Sequence, residues 1–279
     1  MKFLLNLIII FCIPIFAQQP ILSHQIGSFV SAEAFSISQS GFIYVTDSET
    51  NEIYKLDFNG TVLKYIGGYG WSQSSFDNPV DIFATTLNVY VTDENNDRIQ
   101  FFDKDLNFIS EFGSQNIANP QYDFRYPTSA VISPLGDLFI LDSDNSRILK
   151  FDLNGNFSVE IGSYDAGSFA LRNPTKFDIS SDSKLFVLDG NEIKLFDQFG
   201  GGLHKFEIDS GAVNLQVESD VLCIAYPHKV KLFNLLNNER NMVDYLLDES
   251  ERIKDALVYK KQLYVLTENT ILVYNLPML

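Results

Sequence analysis

Short apolar runs alternating with polar residues fill the chain, and clusters of Gly, Pro, Asn, Asp and Ser separate them. The unit at 126–162 shows the pattern most clearly. Ala130 and Ile132 mark one strand, and a turn at 134–136 leads into a second over 138–141. Residues 142–146 turn the chain into a third strand over 147–151, and Asn154-Gly155 turns it into a fourth over 157–161. That is four short antiparallel strands. The Asn154-Gly155 and Asn59-Gly60 pairs predict tight hairpins, because Asn-Gly tolerates the positive φ angles such turns need. No sustained helical period occurs; the one helix candidate, around 244–254, is short.

Self-similarity organises these strands. The tetrads Tyr44-Val45-Thr46-Asp47, Tyr90-Val91-Thr92-Asp93, Phe139-Ile140-Leu141-Asp142 and Phe186-Val187-Leu188-Asp189 are followed by degenerate copies at Cys223-Ile224-Ala225-Tyr226 and Tyr264-Val265-Leu266-Thr267. Six units result. A four-stranded unit of this size cannot bury its apolar face alone, whereas a radial array packs each unit on its neighbours and leaves no long exposed edge. The expected fold is all-β: a six-bladed β-propeller of four-stranded antiparallel blades. Unit six ends after a third strand at 270–275, and the segment 21–27, ILSHQIG, ends in the same Ile-Gly as Ile66-Gly67 and Ile161-Gly162. It is expected to close the last blade from the N-terminal side.

The recurring pattern of Pro, apolar strand, aromatic-Val-x-Asp, Asn-x-Ile, Phe-Asp and Ile-Gly resembles the NHL repeat. It is carried by Asn51 with Ile53, by Arg98-Ile99-Gln100-Phe101 and by Arg147-Ile148-Leu149-Lys150-Phe151-Asp152. The resemblance is strong over units one to four and weak over five and six, where the Asp and Gly positions are lost. It implies that the termini meet in one blade.

Composition narrows the function. The 279 residues hold 20 Lys and Arg against 36 Asp and Glu, a formal charge of −16, and 46% are apolar. So acidic a surface, without a run of Lys and Arg, weighs against nucleic-acid binding. Residues 1–17 order a Lys, an apolar run too short to span a membrane and a small residue, as a secretory signal peptide does. We therefore expect cleavage, one domain over 18–279 and a secreted or periplasmic location, with a retained membrane anchor as the other reading. After cleavage Cys223 is the only cysteine, so no intramolecular disulfide forms, and its apolar run VLCIAY reads as core.

Candidate chemistry is sparse. Asp47, Asp93, Asp142 and Asp189 are expected to cap turns, accepting from N–H groups beyond them, rather than to meet at one ion. The acidic stretches 93–97 and 142–145 lack the Gly and distal Glu of an EF-hand loop and read as hairpin turns, with Arg98 and Arg147 pairing with neighbouring Asp. Aligning the six first strands brings Ala34, Asp81, Ser129, Lys176, Asn214 and Asp255 to one level, assigned to the mouth of the central channel. That ring suits a small polar ligand, or consists simply of solvated strand ends. His24, His204 and His228 occupy three different repeat positions, so no catalytic zinc set can be assembled. In the joins between units, Phe76 and Phe124 are expected to tuck inside, whereas Tyr69 and Trp71, flanked by Gly68 and Gly70, are expected to be exposed partner contacts.

Two functions from different classes remain. The first is a non-catalytic binding or scaffold module, a monomeric ring with no cofactor, for a protein, peptide or glycan. The second is a lactonase-like or lyase-type enzyme in which Asp81, Asn214 and Asp255 hold Ca²⁺ in the channel.

Overall fold

A computed structural model describes residues 20–218, 220–235, 242–246 and 252–276. The segment 1–17 lies outside the described residues, and among those described no helix is long and apolar enough to cross a membrane. After a first strand, β1 (Ile21–Ile26), the chain builds six four-stranded antiparallel sheets. Blade 1 holds β2 (Ala32–Ile37), β3 (Ile43–Asp47), β4 (Glu52–Leu56) and β5 (Val62–Gly67). Blade 2 holds β6 (Pro79–Ala84), β7 (Asn88–Asp93), β8 (Arg98–Asp103) and β9 (Phe108–Gly113). Blade 3 holds β10 (Pro127–Ile132), β11 (Leu138–Asp142), β12 (Arg147–Phe151) and β13 (Phe157–Ile161). Blade 4 holds β14 (Pro174–Ile179), β15 (Leu185–Asp189), β16 (Glu192–Phe196) and β17 (Gly202–Glu207). Blade 5 holds β18 (Asn214–Glu218), β19 (Val221–Tyr226), β20 (Lys229–Asn234) and β21 (Met242–Leu246). Blade 6 holds β22 (Ile253–Tyr259), β23 (Gln262–Thr267) and β24 (Ile271–Asn275), and β1 pairs with β24 to complete it.

At both described ends of the helix candidate around 244–254 the chain is strand. Residues up to Leu246 belong to β21 and those from Ile253 to β22, while 247–251 lie outside the described residues. Pairing of Val243 with Leu232 and of Tyr245 with Val230 explains why: the outer edge of blade 5 needs a strand there. The Asn-Gly hairpins also differ from expectation, since Gly60 and Gly155 have positive φ but Asn59 and Asn154 do not. Asp57 organises its turn instead, its Oδ1 accepting from Asn59 N at 2.9 Å and Thr61 N at 2.8 Å, and the β4–β5 register shifts between Lys55 and Leu56 beside it. Asp152 repeats this through Asn154 N and Asn156 N.

The apolar core lies between blades. Val131, Phe139 and Leu141 of blade 3, for example, pack against Phe177, Val187 and Phe196 of blade 4. Each long join drops one apolar side chain into this core three residues before its inner strand: Phe76, Phe124 and Leu171, with Phe29 doing the same ahead of β2. The repeat aspartates then grip the next N–H groups. Asp47 accepts from Val30 N at 2.7 Å, Asp93 from Asp77 N at 2.8 Å, Asp142 from Arg125 N at 3.3 Å, and Asp189 from Arg172 N at 2.9 Å and Asn173 N at 2.6 Å. These carboxylates are capping groups, but the N–H groups they hold mostly precede them, in the join entering the same blade. Arg98 pairs with Asp93 at 2.8 Å and Arg147 with Asp142 at 2.9 Å, and Lys194 takes the same role toward Asp189.

Closure rests on β1. Its last residue, Ile26, is fully buried, Thr270 Oγ1 donates to Ile26 O at 3.1 Å, and Phe29 N donates to Asn269 O at 2.8 Å. Deleting residues 21–27 removes a core isoleucine, a side chain whose burial contributes roughly 1.5–3 kcal/mol, together with a whole strand ladder. Melting of this variant should fall by roughly 10 °C or more, at about 2–4 °C per kcal/mol for a chain of this size; an unchanged midpoint would show that the ring closes without β1.

Candidate functional site

All six inner strands run from one face of the ring, here the upper, toward the lower. Period-two alternation turns every second side chain of an inner strand toward the axis. The level aligned from the sequence does not sit at the mouth. Ala34, Asp81, Ser129 and Asp255 are almost wholly enclosed, because each stands two residues below the start of its strand. It forms the throat.

There the structure brings together Asp81, Ser129 and Lys176. The Lys176 ammonium reaches over blade 3 to pair with Asp81, and Ser129 Oγ donates to Asp81 Oδ2 at 2.8 Å. Asp255 belongs to a second group: Gln216 Nε2 donates to its Oδ2 at 2.5 Å and to Phe35 O at 2.9 Å, crossing from blade 5 toward blade 1. Asn214 joins neither group. Sequence alignment missed Asp178, Gln216 and Ser36, although each lies two residues beyond Lys176, Asn214 and Ala34 on the same face; the alternation that located the strands was sufficient to find them.

The throat carboxylates share one geometry. Asp81 accepts from Ile82 N at 2.8 Å and from Ala130 N of the next blade at 3.3 Å. Asp178 accepts from Ile179 N at 2.8 Å and Val217 N at 2.7 Å, and Asp255 from Ala256 N at 2.8 Å and Phe35 N at 3.5 Å. Burial pushes both Asp178 and Asp255 up to about 7, more than their N–H donors and Lys176 pull them down. Burial pulls the Lys176 ammonium down, but the charges of Asp81 and Asp255 outweigh it and hold its pKa above the ordinary lysine value.

Lys176 separates two cups. The lower one, about 370 Å³, is lined by Ser36, Gln39, Thr86, Ser133, Asp178 and Ser181. The upper one, about 450 Å³, has Glu33, Thr128, Thr175, Asn214, Arg252 and Lys254 around it. Lys254 pairs with Glu33 at 2.8 Å. Asn214 is only 7% exposed, yet its Oδ1 accepts no hydrogen bond, and Thr128 Oγ1 likewise lacks a partner.

The one contact of a hydroxyl with a carboxylate described in the throat, Ser129 Oγ with Asp81, is part of the hydrogen-bonded lining between blades: the same hydroxyl meets Phe177 O, and Asp81 is held by Lys176 and by two N–H groups. His24 and His204 are exposed on the outer strands β1 and β17, and His228 is exposed in the turn between β19 and β20. Burial pushes the Cys223 thiol up, away from the reactive thiolate. Among the described residues no group of three His, Cys, Asp or Glu side chains converges as a metal site. Asp81, Asn214 and Asp255, the set considered for Ca²⁺, point to three different partners or to none. Tyr69 and Trp71 lie on the upper face in the join 68–78, exposed at 67% and 72%.

Fold and repeat together define the class: a six-bladed β-propeller that carries an NHL repeat, the family model of which matches residues 124–151, the end of one join and the first three strands of blade 3. No curated protein matches the sequence. Among solved structures the chain is similar to a catalytically inactive virginiamycin B lyase from Staphylococcus aureus with quinupristin, at 15% identity and a TM-score of 0.63 over 93% of this chain and 99% of that one. It is also similar to the selenomethionine-substituted lyase from Staphylococcus aureus, at 15% identity and 0.60 over 88% and 95%, and to a streptogramin B lyase, at 14% identity and 0.63 over 93% and 97%. At these identities the likeness is one of fold.

The raised carboxyls give stability a pH dependence of definite sign. With a folded pKa near 7 and an unfolded one near 3.9, Asp178 keeps its proton in the folded ring between those values and loses it in the unfolded chain. Its contribution is therefore largest at low pH and is lost as pH rises through about 7. In melts of wild type and Asp178→Asn, the stability advantage of wild type should shrink from pH 5 to pH 8; a constant gap would show that Asp178 does not titrate in that range.

Proposed function

We propose that this protein is a non-catalytic binding propeller acting outside the cytoplasm, as residues 1–17 suggest, and that its upper cup takes a small polar ligand, or the end of a peptide, bearing an anionic group and hydrogen-bond donors. The observation that carries this reading is Asn214. A buried amide oxygen with no donor costs about 1–3 kcal/mol, and a ligand N–H or O–H in the cup recovers that cost once the Asn214 side chain turns its enclosed oxygen toward it. Thr128 Oγ1 offers a second such contact, and Arg252, which makes no ion pair among the described residues, supplies a cation at the rim. The throat charges beneath are already committed to one another.

Asn214→Leu replaces the orphaned amide with an apolar group of the same branched heavy-atom shape. It should melt at or above the wild-type temperature and yet lose ligand binding, a trade expected where a binding group is kept at a cost in stability. Thermal melting against a panel of hydroxy acids, amino acids and uronic acids tests this. A ligand at 100 times its dissociation constant adds about 2.7 kcal/mol, so a binder is visible. Its shift should vanish in Asn214→Leu and in Arg252→Ala; a shift that persists in both places the ligand elsewhere.

The second reading is a lyase-type enzyme. Its support is the fold shared with lyases over nearly the whole chain. Against it, no histidine is among the residues that line either cup. Incubation with quinupristin followed by mass spectrometry should return the compound unchanged; a converted product would replace the binding reading with the lyase one.

A further inference from the structure

A second feature of the upper face, beside the cup, surrounds the turn between β7 and β8. The rings of Tyr69 and Trp71 lie over it 6.0 Å apart, edge to face at 62°. The backbone that carries them is clamped from below. Arg98 donates from Nη1 to Trp71 O at 2.8 Å, and from Nη2 to Ser72 O at 3.1 Å and Ser75 O at 2.9 Å. Asn96 Nδ2 holds Gly70 O at 3.0 Å, and Gln100 Oε1 accepts from Ser74 N at 2.9 Å. Arg98 is itself fixed by Asp93 at 2.8 Å and Glu111 at 2.7 Å.

On the other flank of the same turn stands Tyr126, 49% exposed and held at φ +45° immediately before Pro127. An aromatic residue in the left-handed region is strained and persists only where its surroundings impose it. Here Asp97 Oδ1 accepts from Tyr126 N at 2.7 Å, and Tyr126 O accepts from Ser143 Oγ at 2.6 Å. Three exposed rings are thus pre-positioned around one turn, and rigid aromatic side chains lose little freedom on contact.

The charge between them is negative. Asp77, Glu94 and Asp97 form no ion pair among the described residues; their carboxylates take amide and backbone donors instead, from Asn95 Nδ2 at 2.9 Å, Asn78 Nδ2 at 2.5 Å and Tyr126 N. Burial, reinforced by the charge of Glu33, raises the pKa of Glu94. Arg98 is spent on its clamp, which leaves Arg125 as the one exposed cation of these segments among the described residues. Aromatic faces attract cations, and unpaired carboxylates beside them select for cations over neutral ligands.

We propose that this platform docks a basic peptide segment, with a Lys or Arg side chain laid over Trp71 and Tyr69 and its charge turned toward Asp77 and Glu94. A net charge of −16 favours the approach of such a partner. A neutral glycan would use the rings and leave the carboxylates idle.

The test is fluorescence anisotropy of the full chain with a labelled Arg-rich octapeptide, its citrulline counterpart of equal shape and no charge, and a labelled neutral hexasaccharide. The Arg peptide should bind, weaken at least tenfold between 50 and 300 mM NaCl, and weaken at least tenfold in Trp71→Ala. The double variant Asp77→Asn, Glu94→Gln should lose binding to a similar degree, whereas Asn214→Leu should bind as wild type does, which separates this site from the cup. Trp71→Ala should melt with wild type, since the ring is largely solvated. Absence of Arg-peptide binding, or binding indifferent to Trp71→Ala and to the double variant, overturns the proposal. Equal binding of the citrulline peptide, or salt-independent hexasaccharide binding lost in Trp71→Ala, assigns the platform to a neutral ligand instead.

Discussion

Each join must bring the chain from the rim of one blade to the axis of the next, and the rest of the structure depends on the buried carboxylate that receives it. Asp47, Asp93, Asp142 and Asp189 stand at the inner end of the second strand and accept the N–H groups that arrive just after the apolar anchor residue. Burying a carboxylate is unfavourable unless such donors surround it. The three blades entered by long joins, 68–78, 114–126 and 162–173, add a cation from the third strand: Arg98, Arg147 and Lys194 each bind the Asp and also carbonyls of the join. Blade 1, entered by the short 27–31, keeps the Asp, and among the described residues no cation pairs with it. Blade 5, entered by 208–213, replaces the Asp with Tyr226, and there Lys229 and Lys231 pair with Asp209 of the join instead. The lock varies with the length of chain it has to hold.

The polar throat has a comparable origin. An inner strand has a partner on one side only, so half of its N–H and C=O groups face the axis as a sheet edge. In a ring too narrow for bulk water those groups need acceptors and donors of their own. Asp81, Asp178 and Asp255 each accept one N–H of their own strand and one of the next blade; Ser129 Oγ shares its one proton between Asp81 Oδ2 and Phe177 O, and Gln216 donates to Phe35 O. Residues that resemble a catalytic constellation by type are thus stitching six separate sheets together. Their raised carboxyl pKa values follow from burial, and Lys176 offsets part of the resulting negative charge.

Much of this was readable before any coordinates. The tetrads located every blade, because a repeat multiplies one weak strand signal six times, and Phe76 and Phe124 were legible as core from their place before a strand start. Two kinds of information were not. Depth was misjudged: the level of Asp81 and Lys176 was set at the mouth because strand starts are blurred by the Pro79, Pro127 and Pro174 bulges, which shift register within the first residues. Partnership was legible only within a turn, as for Arg98 with Asp93 and Arg147 with Asp142, and not across blades. Asn214 and Asn156 are the same residue type, but Asn156 Nδ2 binds Asp152 four residues away while Asn214 Oδ1 accepts no hydrogen bond, a difference set by what the fold places beside each side chain.

The same logic divides the upper face. Long joins enter blades 2, 3 and 4, and the two that flank blade 2 carry the exposed rings of Tyr69, Trp71 and Tyr126; short joins enter blades 5, 6 and 1, and beside two of them Arg252, Lys254 and Glu33 stand open at the cup. Join length therefore sets what each sector can present: a long join lifts aromatic side chains above the rim, whereas a short one leaves the strand starts open at the cup, with the orphaned Asn214 in its wall. Because blades pack through continuous apolar interfaces, neither sector can adjust its spacing to the other. A ligand reaching both would gain from a separation the ring has already fixed, without ordering the protein on binding.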